Sequence, residues 1–161
     1  MIAALPYLQR IVSGGQTGVD RAALDVALAL GVGCGGWVPR GRRAEDGRLP
    51  EHYPLRETPQ ANYAHRTQLN VRDAEATLIL TRGEPTGGTA LTVAVATRLG
   101  RPLQVVDLAA APDPEAARRW LVRRQVRVLN VAGPRESAAP GIYAEACDFL
   151  ALLLGGRDEH G

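Results

Sequence analysis

Short apolar runs alternate along the chain with longer stretches whose apolar residues recur at helical spacing. Five runs have the length and composition of buried strands: residues 8–12, 32–38, 76–80, 103–106 and 126–131. Five stretches have helical periodicity: residues 20–30, 63–72, 90–99, 113–124 and 141–154. Because strands that alternate with helices form a parallel sheet covered on both faces, this order predicts a Rossmann-like three-layer α/β sandwich with a mainly parallel sheet.

A glycine-containing turn follows three of the predicted strands, and each turn precedes a helix. Glycine lets the backbone approach a ligand closely, and the free N–H groups at a helix N-terminus attract anions. If the strands are neighbours, the turns flank one crevice, where α/β folds bind ligands. The turns supply these candidate residues for binding a small phosphate-containing ligand: Gly14, Gly15, Gln16, Thr17, Gly18, Gly87, Gly88, Thr89, Gly133, Arg135, Glu136 and Ser137. The alternative is a set of structural turns, with Thr89 as an ordinary helix cap.

The first turn differs from two well-known nucleotide-binding loops. Residues 14–18 match neither the dinucleotide fingerprint G-x-G-x-x-G nor the P-loop, which ends in Lys-Ser/Thr. The sequence contains no lysine, which excludes a P-loop lysine, a Schiff base and a lysine general base. Phosphate contacts would therefore come from backbone N–H groups, hydroxyls and arginines.

Charged residues near the predicted turns are further candidates for ligand binding. Arg135 carries the planar fork that suits bidentate phosphate binding, and an ion pair with the next residue is the alternative. Arg40 follows a strand in the same way, whereas Arg66 projects from a helix, where a solvated face is the alternative. Asp20 would repel a phosphate but is stabilised by the dipole of its helix. It would orient Arg21 or bind a ribose or pterin N–H group.

Residues 39–60 show no helical or strand period. Arginines and acidic residues crowd there around four prolines and two glycines. Irregular insertions of this length are lids, binding loops or disordered flaps, and a solvated surface excursion is the alternative. We expect one Rossmann-like domain over residues 1–161 that carries this insertion.

Composition narrows the possible partners. The formal net charge is +2 and aromatic residues make up 4% of the chain, so nucleic-acid binding is not expected. No apolar run approaches the roughly 20 residues of a membrane span and no signal segment is visible, which predicts a cytoplasmic protein without a membrane partner. No metal site is predicted, because His52, His65 and His160 have no metal-ligand spacing with each other or with the two cysteines.

Several motifs combine glycines, arginines and acidic residues in longer, more specific patterns. They are VSGGQTGVDRA at 12–22, GWVPRGR at 36–42, AEDG at 44–47, RT and NV at 66–67 and 70–71, GGT and LT at 87–89 and 91–92, and NVAGPRES at 130–137. Together these motifs resemble the molybdenum cofactor carrier family, over about residues 11–153. The resemblance implies a fold shared with LOG-type phosphoribohydrolases, lysine-decarboxylase-like proteins and DprA-type proteins. It also implies a ligand that is the molybdenum cofactor (molybdopterin) or another nucleotide-like phosphate compound, and a homodimer or homotetramer.

The LOG-type enzymes carry an arginine before a strand and a P-G-G-x-G-T-x-x-E motif after it. By this resemblance, Arg66 corresponds to the arginine and Gly88-Thr89 to the Gly-Thr of the motif, whereas Thr92 stands in place of the glutamate. Threonine has no charge with which to stabilise an oxocarbenium-like centre or to activate water. A hydrolase would need a carboxylate from Asp20, Glu45, Asp46 or Glu136.

We therefore expect a binding or carrier protein, with Thr92 among its ligand-binding residues and no assigned catalytic residue. The three turns would line the site, arginines would grip the phosphate, and residues 40–46 would close over the cargo. Molybdenum would arrive inside the pterin dithiolene of the cofactor and not on side chains. The alternatives are a nucleotide-processing hydrolase of the phosphoribohydrolase type and a nucleotide-sensing module.

Overall fold

The computed structural model describes residues 5–155. The elements follow in chain order: β1 Arg10–Val12, α1 Val19–Leu30, β2 Gly33–Gly35, β3 Trp37–Val38, β4 Arg43–Ala44, β5 Gly47–Arg48, β6 Arg56–Glu57, α2 Tyr63–Asp73, β7 Ala76–Thr81, α3 Gly87–Arg98, β8 Leu103–Asp107, α4 Pro114–Arg123, β9 Val128–Ala132 and α5 Ile142–Leu150. A π-helical turn at Ala151–Gly155 extends α5. Within residues 5–155, no helix is long and apolar enough to cross a membrane.

The central sheet has the strand order β2–β1–β9–β7–β8, and every pairing in it is parallel. On one face, α1, α4 and α5 bury a large core against Ile11, Leu78 and Leu129. A second helical layer, α2 and α3, packs through Val71 and Val95. All six residues of β7 are buried, as expected for a strand covered on both faces. The predicted Rossmann-like α/β sandwich is confirmed.

Residues 32–38, predicted as one strand, form two strands in different sheets. β2 pairs with β1 in the central sheet, whereas β3 pairs with β6 in a separate two-stranded ladder. Gly36 separates them with a φ of 137°, and a Cβ on it would lie 2.1 Å from the carbonyl oxygen of Ser13. Only glycine allows the chain to leave the sheet by crossing so closely over the end of β1.

Residues 39–60, which we call the strap, fold onto α1 despite their irregular sequence. Arg42 is 5% exposed and donates hydrogen bonds to the carbonyl oxygens of Leu49, Pro50, Tyr53 and Leu55, at 3.2, 2.7, 3.0 and 3.3 Å. Leu49 and Tyr53 are buried in a small cluster that includes an α1 leucine. The short pairings β4–β5 and β3–β6 and the hydrogen bonds of one buried guanidinium together satisfy backbone groups of the strap.

Candidate functional site

A pocket of about 340 Å³ lies at the carboxyl ends of the adjacent strands β1, β9 and β7. Its walls come from the turns after β1 and β9, from the first turns of α3 and from α2. The structure brings ten of the predicted site residues into its lining: Gly14, Gln16, Asp20, Arg66, Gly87, Gly88, Thr89, Thr92, Gly133 and Arg135. The three glycine-containing turns thus meet at one pocket, as expected at the carboxyl edge of a parallel sheet.

The N-terminus of α3 forms one wall of the pocket. α3 begins at Gly87, three residues before the predicted start, so both glycines lie in its first turn. Thr86 is the N-cap residue but makes no side-chain cap hydrogen bond, and the Thr89 N–H donates to the Thr86 carbonyl oxygen at 3.1 Å. Within residues 5–155, no side chain caps the N–H groups of Gly87 and Gly88. Such a helix start attracts anions through its free N–H groups and its dipole.

The two α3 threonines that line the pocket differ in what their hydroxyls do. Thr92 Oγ1 donates to the carbonyl oxygen of Gly88 at 3.0 Å, a bond within the helix. Thr89 is 5% exposed, and its hydroxyl has no hydrogen-bond partner in the described part of the chain. The Thr89 hydroxyl is therefore available to a ligand, whereas that of Thr92 is already used.

Asp20 and Arg66 form a nearly buried ion pair in the pocket wall. Arg66 Nη1 lies 3.4 Å from Asp20 Oδ2, and the side chains are 12% and 7% exposed. The Gln16 N–H donates to the same oxygen at 3.4 Å. Burial raises the pKa of Asp20 above its ordinary value, and the charge of Arg66 opposes this rise. A Cβ on Gly14 would lie 1.3 Å from Arg66 Nη1, so this glycine makes room for the guanidinium.

A carboxylate from the strap occupies donors that the sequence assigned to a ligand. Glu45 accepts hydrogen bonds from the Thr17 hydroxyl, from Ser137 Oγ at 2.5 Å and from the Ser137 N–H at 3.1 Å. Arg135 Nε lies 3.6 Å from Glu45 Oε1, and the Glu45 N–H donates to Gln16 Oε1 at 2.8 Å. The Ser137 and Thr17 hydrogen bonds lower the pKa of Glu45. Thr17 and Ser137 lie outside the pocket lining and hold the strap to its rim.

Arg21, Gly15 and Arg40 also lie outside the pocket lining. Arg21 donates to both carboxylate oxygens of Asp46 at 3.0 Å and to the Gly15 carbonyl oxygen at 3.1 Å. The hydrogen bond from Arg21 lowers the pKa of Asp46. Arg40 is exposed, and its N–H donates to the carbonyl oxygen of Gln60. The Arg21 pair therefore attaches the strap to α1 and does not face the pocket.

Two further predicted residues have local structural roles. Glu136 accepts hydrogen bonds from the N–H groups of Gly141 at 2.6 Å and Tyr143 at 3.0 Å. It thus provides partners for backbone N–H groups at the start of α5. Gly18 has a φ of 79°, and a Cβ there would lie 2.3 Å from the carbonyl oxygen of Pro134. Gly18 thus permits close packing of the first turn on the third.

Nine pocket-lining residues were not among the named candidates, although Pro134 lies within the predicted turn at residues 133–137: Tyr63, Thr67, Asn70, Thr86, Leu91, Asn130, Ala132, Pro134 and Ala138. Tyr63, Thr67 and Asn70 share one face of α2 with Arg66, because they recur at helical spacing. That largely polar stripe was a signal available in the sequence. Asn70 Oδ1 also accepts a hydrogen bond from the Trp37 N–H at 2.8 Å, and Asn70 Nδ2 donates one to the Trp37 carbonyl oxygen at 3.0 Å. These two hydrogen bonds attach α2 to β3.

Metal-ligating side chains do not cluster in the described part of the chain. Among residues 5–155, no group of three or more His, Cys, Asp or Glu side chains could hold a metal ion. His52 packs on Tyr53, with ring centroids 4.1 Å apart. His160 lies outside the described residues.

Comparisons with known proteins cover nearly the whole fold. The model of the circularly permutated YpsA SLOG family matches residues 11–154, a range that includes every pocket-lining residue. The chain is also similar to the 1.45 Å crystal structure of the "Putative molybdenum carrier protein" from Syntrophus aciditrophicus SB. The two are 44% identical with a TM-score of 0.88, over 92% of this chain and 96% of that one. None of the curated proteins matches the chain. The family resemblance predicted from the motifs is confirmed.

Proposed function

Because the chain belongs to the circularly permutated YpsA SLOG family, we propose that it binds and carries a phosphate-containing cofactor, with the molybdenum cofactor (molybdopterin) as its cargo. Its 44% identity to a protein named a molybdenum carrier supports this cargo. One observation carries the proposal: the uncapped start of α3 and the nearly buried Arg66 line the same pocket. Arg66 offsets the negative charge of Asp20 in the same wall, so the N–H groups at the start of α3 and the remaining guanidinium donors favour an anionic ligand.

The pocket suits a phosphate ester of modest size. Its volume of about 340 Å³ lies at the lower end of the range usual for small-molecule sites. The Gly87 and Gly88 N–H groups and the Thr89 hydroxyl would bind the phosphate, together with the guanidinium groups of Arg66 and Arg135. Asp20 would accept a hydrogen bond from a pterin N–H group. The described lining contains no Cys or His, so molybdenum would remain on the dithiolene of its own cofactor.

A hydrolase is the second candidate, and Asp20 is the observation that favours it. The other carboxylates that the sequence suggested, Glu45, Asp46 and Glu136, hold the strap or cap α5 and do not line the pocket. Asp20 lines the pocket, is nearly buried and has a raised pKa, which are features of a general acid or base. A hydrolase on this fold would therefore use Asp20.

Thermal unfolding with a ligand panel tests the proposal. The panel contains the molybdenum cofactor, nucleoside monophosphates and inorganic phosphate, and each ligand that binds is recovered and analysed. A ligand at 100 times its Kd adds about 2.7 kcal/mol, which raises the Tm by roughly 5–11 °C for a domain of this size. A carrier returns the cofactor unchanged. Release of a base from a nucleoside monophosphate would support the hydrolase function instead of the carrier function. If no phosphate compound stabilises the protein, both proposed functions are refuted.

The proposed binding residues can be tested with matched variants. Thr89→Val combined with Arg135→Leu should weaken phosphate binding, because it removes a free hydroxyl and a guanidinium from the lining. The control is Thr97→Val combined with Arg98→Leu, at exposed α3 positions outside the pocket lining. If the two double variants bind inorganic phosphate with equal affinity, Thr89 and Arg135 are not part of the phosphate site.

A further inference from the structure

We propose that the pocket also recognises a planar heteroaromatic ring of its ligand, which packs against Tyr63 and Leu91 beside the phosphate. The inference rests on the proposed function, because it places a second part of the same phosphate ester. It assigns roles to two apolar residues that the phosphate chemistry leaves unused. The ligand class is then a phosphate ester that carries a flat ring, such as a pterin or a purine.

Exposed apolar surface at the pocket is the first observation. Eight large apolar side chains are exposed among residues 5–155, and two of them, Tyr63 at 44% and Leu91 at 38%, line the pocket. They come from α2 and α3, which pack against each other. Because these side chains are both exposed and part of the lining, they lie where the pocket opens to solvent. A ligand that covers them gains hydrophobic free energy that a bare phosphate would not.

The surroundings of Tyr63 suit a flat heteroaromatic ring. The guanidinium carbon of Arg66 lies 5.5 Å from the centroid of the Tyr63 ring, one helical turn further along α2. Aromatic rings and guanidinium planes are the two kinds of side chain on which nucleobases stack. Arg66 therefore makes a cation–π contact with Tyr63, and the exposed part of the Tyr63 ring lies beside the proposed phosphate site, where a ligand ring could stack.

The spacing along α3 places both parts of such a ligand within reach. Leu91 follows Gly88 by three residues, so it lies about 4.5 Å further along the helix axis and on a neighbouring position of the surface. A phosphate on the N–H group of Gly88 would leave the rest of the ligand to extend past Leu91. The polar and apolar parts of the lining thus match a phosphate ester joined to a ring.

Two probes, one with the heteroaromatic ring and one without it, measure how much the ring contributes to binding. Guanosine 5′-monophosphate and ribose 5-phosphate share the phosphate and the sugar, and calorimetry measures the Kd of each. We expect the nucleotide to bind about 5- to 150-fold more tightly, the range that one stacked base supplies. Tyr63→Ala should bring the ratio of the two Kd values close to one, Tyr63→Phe should keep it, and Leu91→Ala should reduce it. Leu99→Ala is the matched control, because Leu99 is also 38% exposed but lies outside the pocket lining.

The outcomes separate this inference from the proposed function. If ribose 5-phosphate binds but the nucleotide binds no more tightly, the ring site is refuted while the phosphate site stands. If the wild-type ratio persists in both Tyr63→Ala and Leu91→Ala, the ring binds elsewhere and the assignment is wrong. If neither probe binds, the phosphate site and the ring site fail together. A ratio lost in Tyr63→Ala and kept in Leu99→Ala supports the proposal.

Discussion

Arg66→Leu removes a guanidinium from a pocket wall where the side chain is only 12% exposed. Leucine keeps much of the apolar stem but cannot pair with Asp20 or with an anionic ligand. The pocket then loses a positive charge and retains the carboxyl group of Asp20. We expect weaker binding of inorganic phosphate, with the fold retained.

The magnitude follows from burial and distance. A guanidinium about 4 Å from a phosphate interacts with a gross energy of about 4 kcal/mol at an effective dielectric constant of ~20. Desolvation of both groups offsets part of this energy, so the net value is that of a charge-assisted hydrogen bond, about 1.5–3 kcal/mol. The Kd for inorganic phosphate should therefore rise by about 10- to 150-fold in Arg66→Leu.

The same substitution affects stability through Asp20. Arg66 opposes the rise in the pKa of Asp20, so its loss lets Asp20 take up a proton at higher pH. A protonated Asp20 needs no buried counter-ion. We therefore expect a loss of stability smaller than the roughly 3–5 kcal/mol observed when a buried charge is left unpaired.

Isothermal titration calorimetry with inorganic phosphate measures the effect at low ionic strength, and thermal unfolding checks that the variant is folded. Arg98→Leu is the control, since Arg98 is exposed and lies outside the pocket lining. A folded Arg66→Leu that binds phosphate within about twofold of the wild type would refute the role of Arg66 as a ligand. An equal loss of phosphate affinity in Arg98→Leu would show that the effect comes from the overall charge of the protein.

Three further predictions concern protonation and packing. Because the pKa of Asp20 is raised, affinity for sulfate should increase as the pH falls through that pKa, and calorimetry should find this dependence absent in Asp20→Asn. Glu45→Gln should lower the free energy of unfolding in urea by about 1–2 kcal/mol at neutral pH, because charge-assisted hydrogen bonds are lost. Since the pKa of Glu45 is lowered, its contribution is complete above its ordinary value of 4.5 and should disappear as the pH falls through the folded-state pKa; a difference that persists in acid would contradict this. Gly133→Ala should lower the free energy of unfolding by about 3 kcal/mol or more, because its Cβ would lie 2.1 Å from the Leu80 carbonyl oxygen. Gly88→Ala has open space around the new Cβ and should raise the free energy of unfolding by about 0.5 kcal/mol. Equal Tm values for the two variants would contradict this comparison.

The fold was predictable because its elements are encoded locally. Runs of apolar residues identified the strands, and β7 is buried along its whole length. The predicted helix at residues 113–124 begins with Asp113-Pro114-Glu115, a typical helix start, and Asp113 accepts a hydrogen bond from the Glu115 N–H at 3.0 Å. The break at Gly36 was not readable, because it depends on the approach of Ser13 from another part of the chain.

The sequence by itself determined which turns could bind an anion, because glycines beside helix starts are a local pattern. Only the tertiary structure decided what each donor binds. Thr17 and Ser137 are as suitable for phosphate as Thr89, yet they bind Glu45, which lies 28 and 92 residues away from them. The physical reason is that a donor's hydrogen-bonding capacity belongs to its residue type, whereas its partner is whichever acceptor the folded chain brings within about 3 Å.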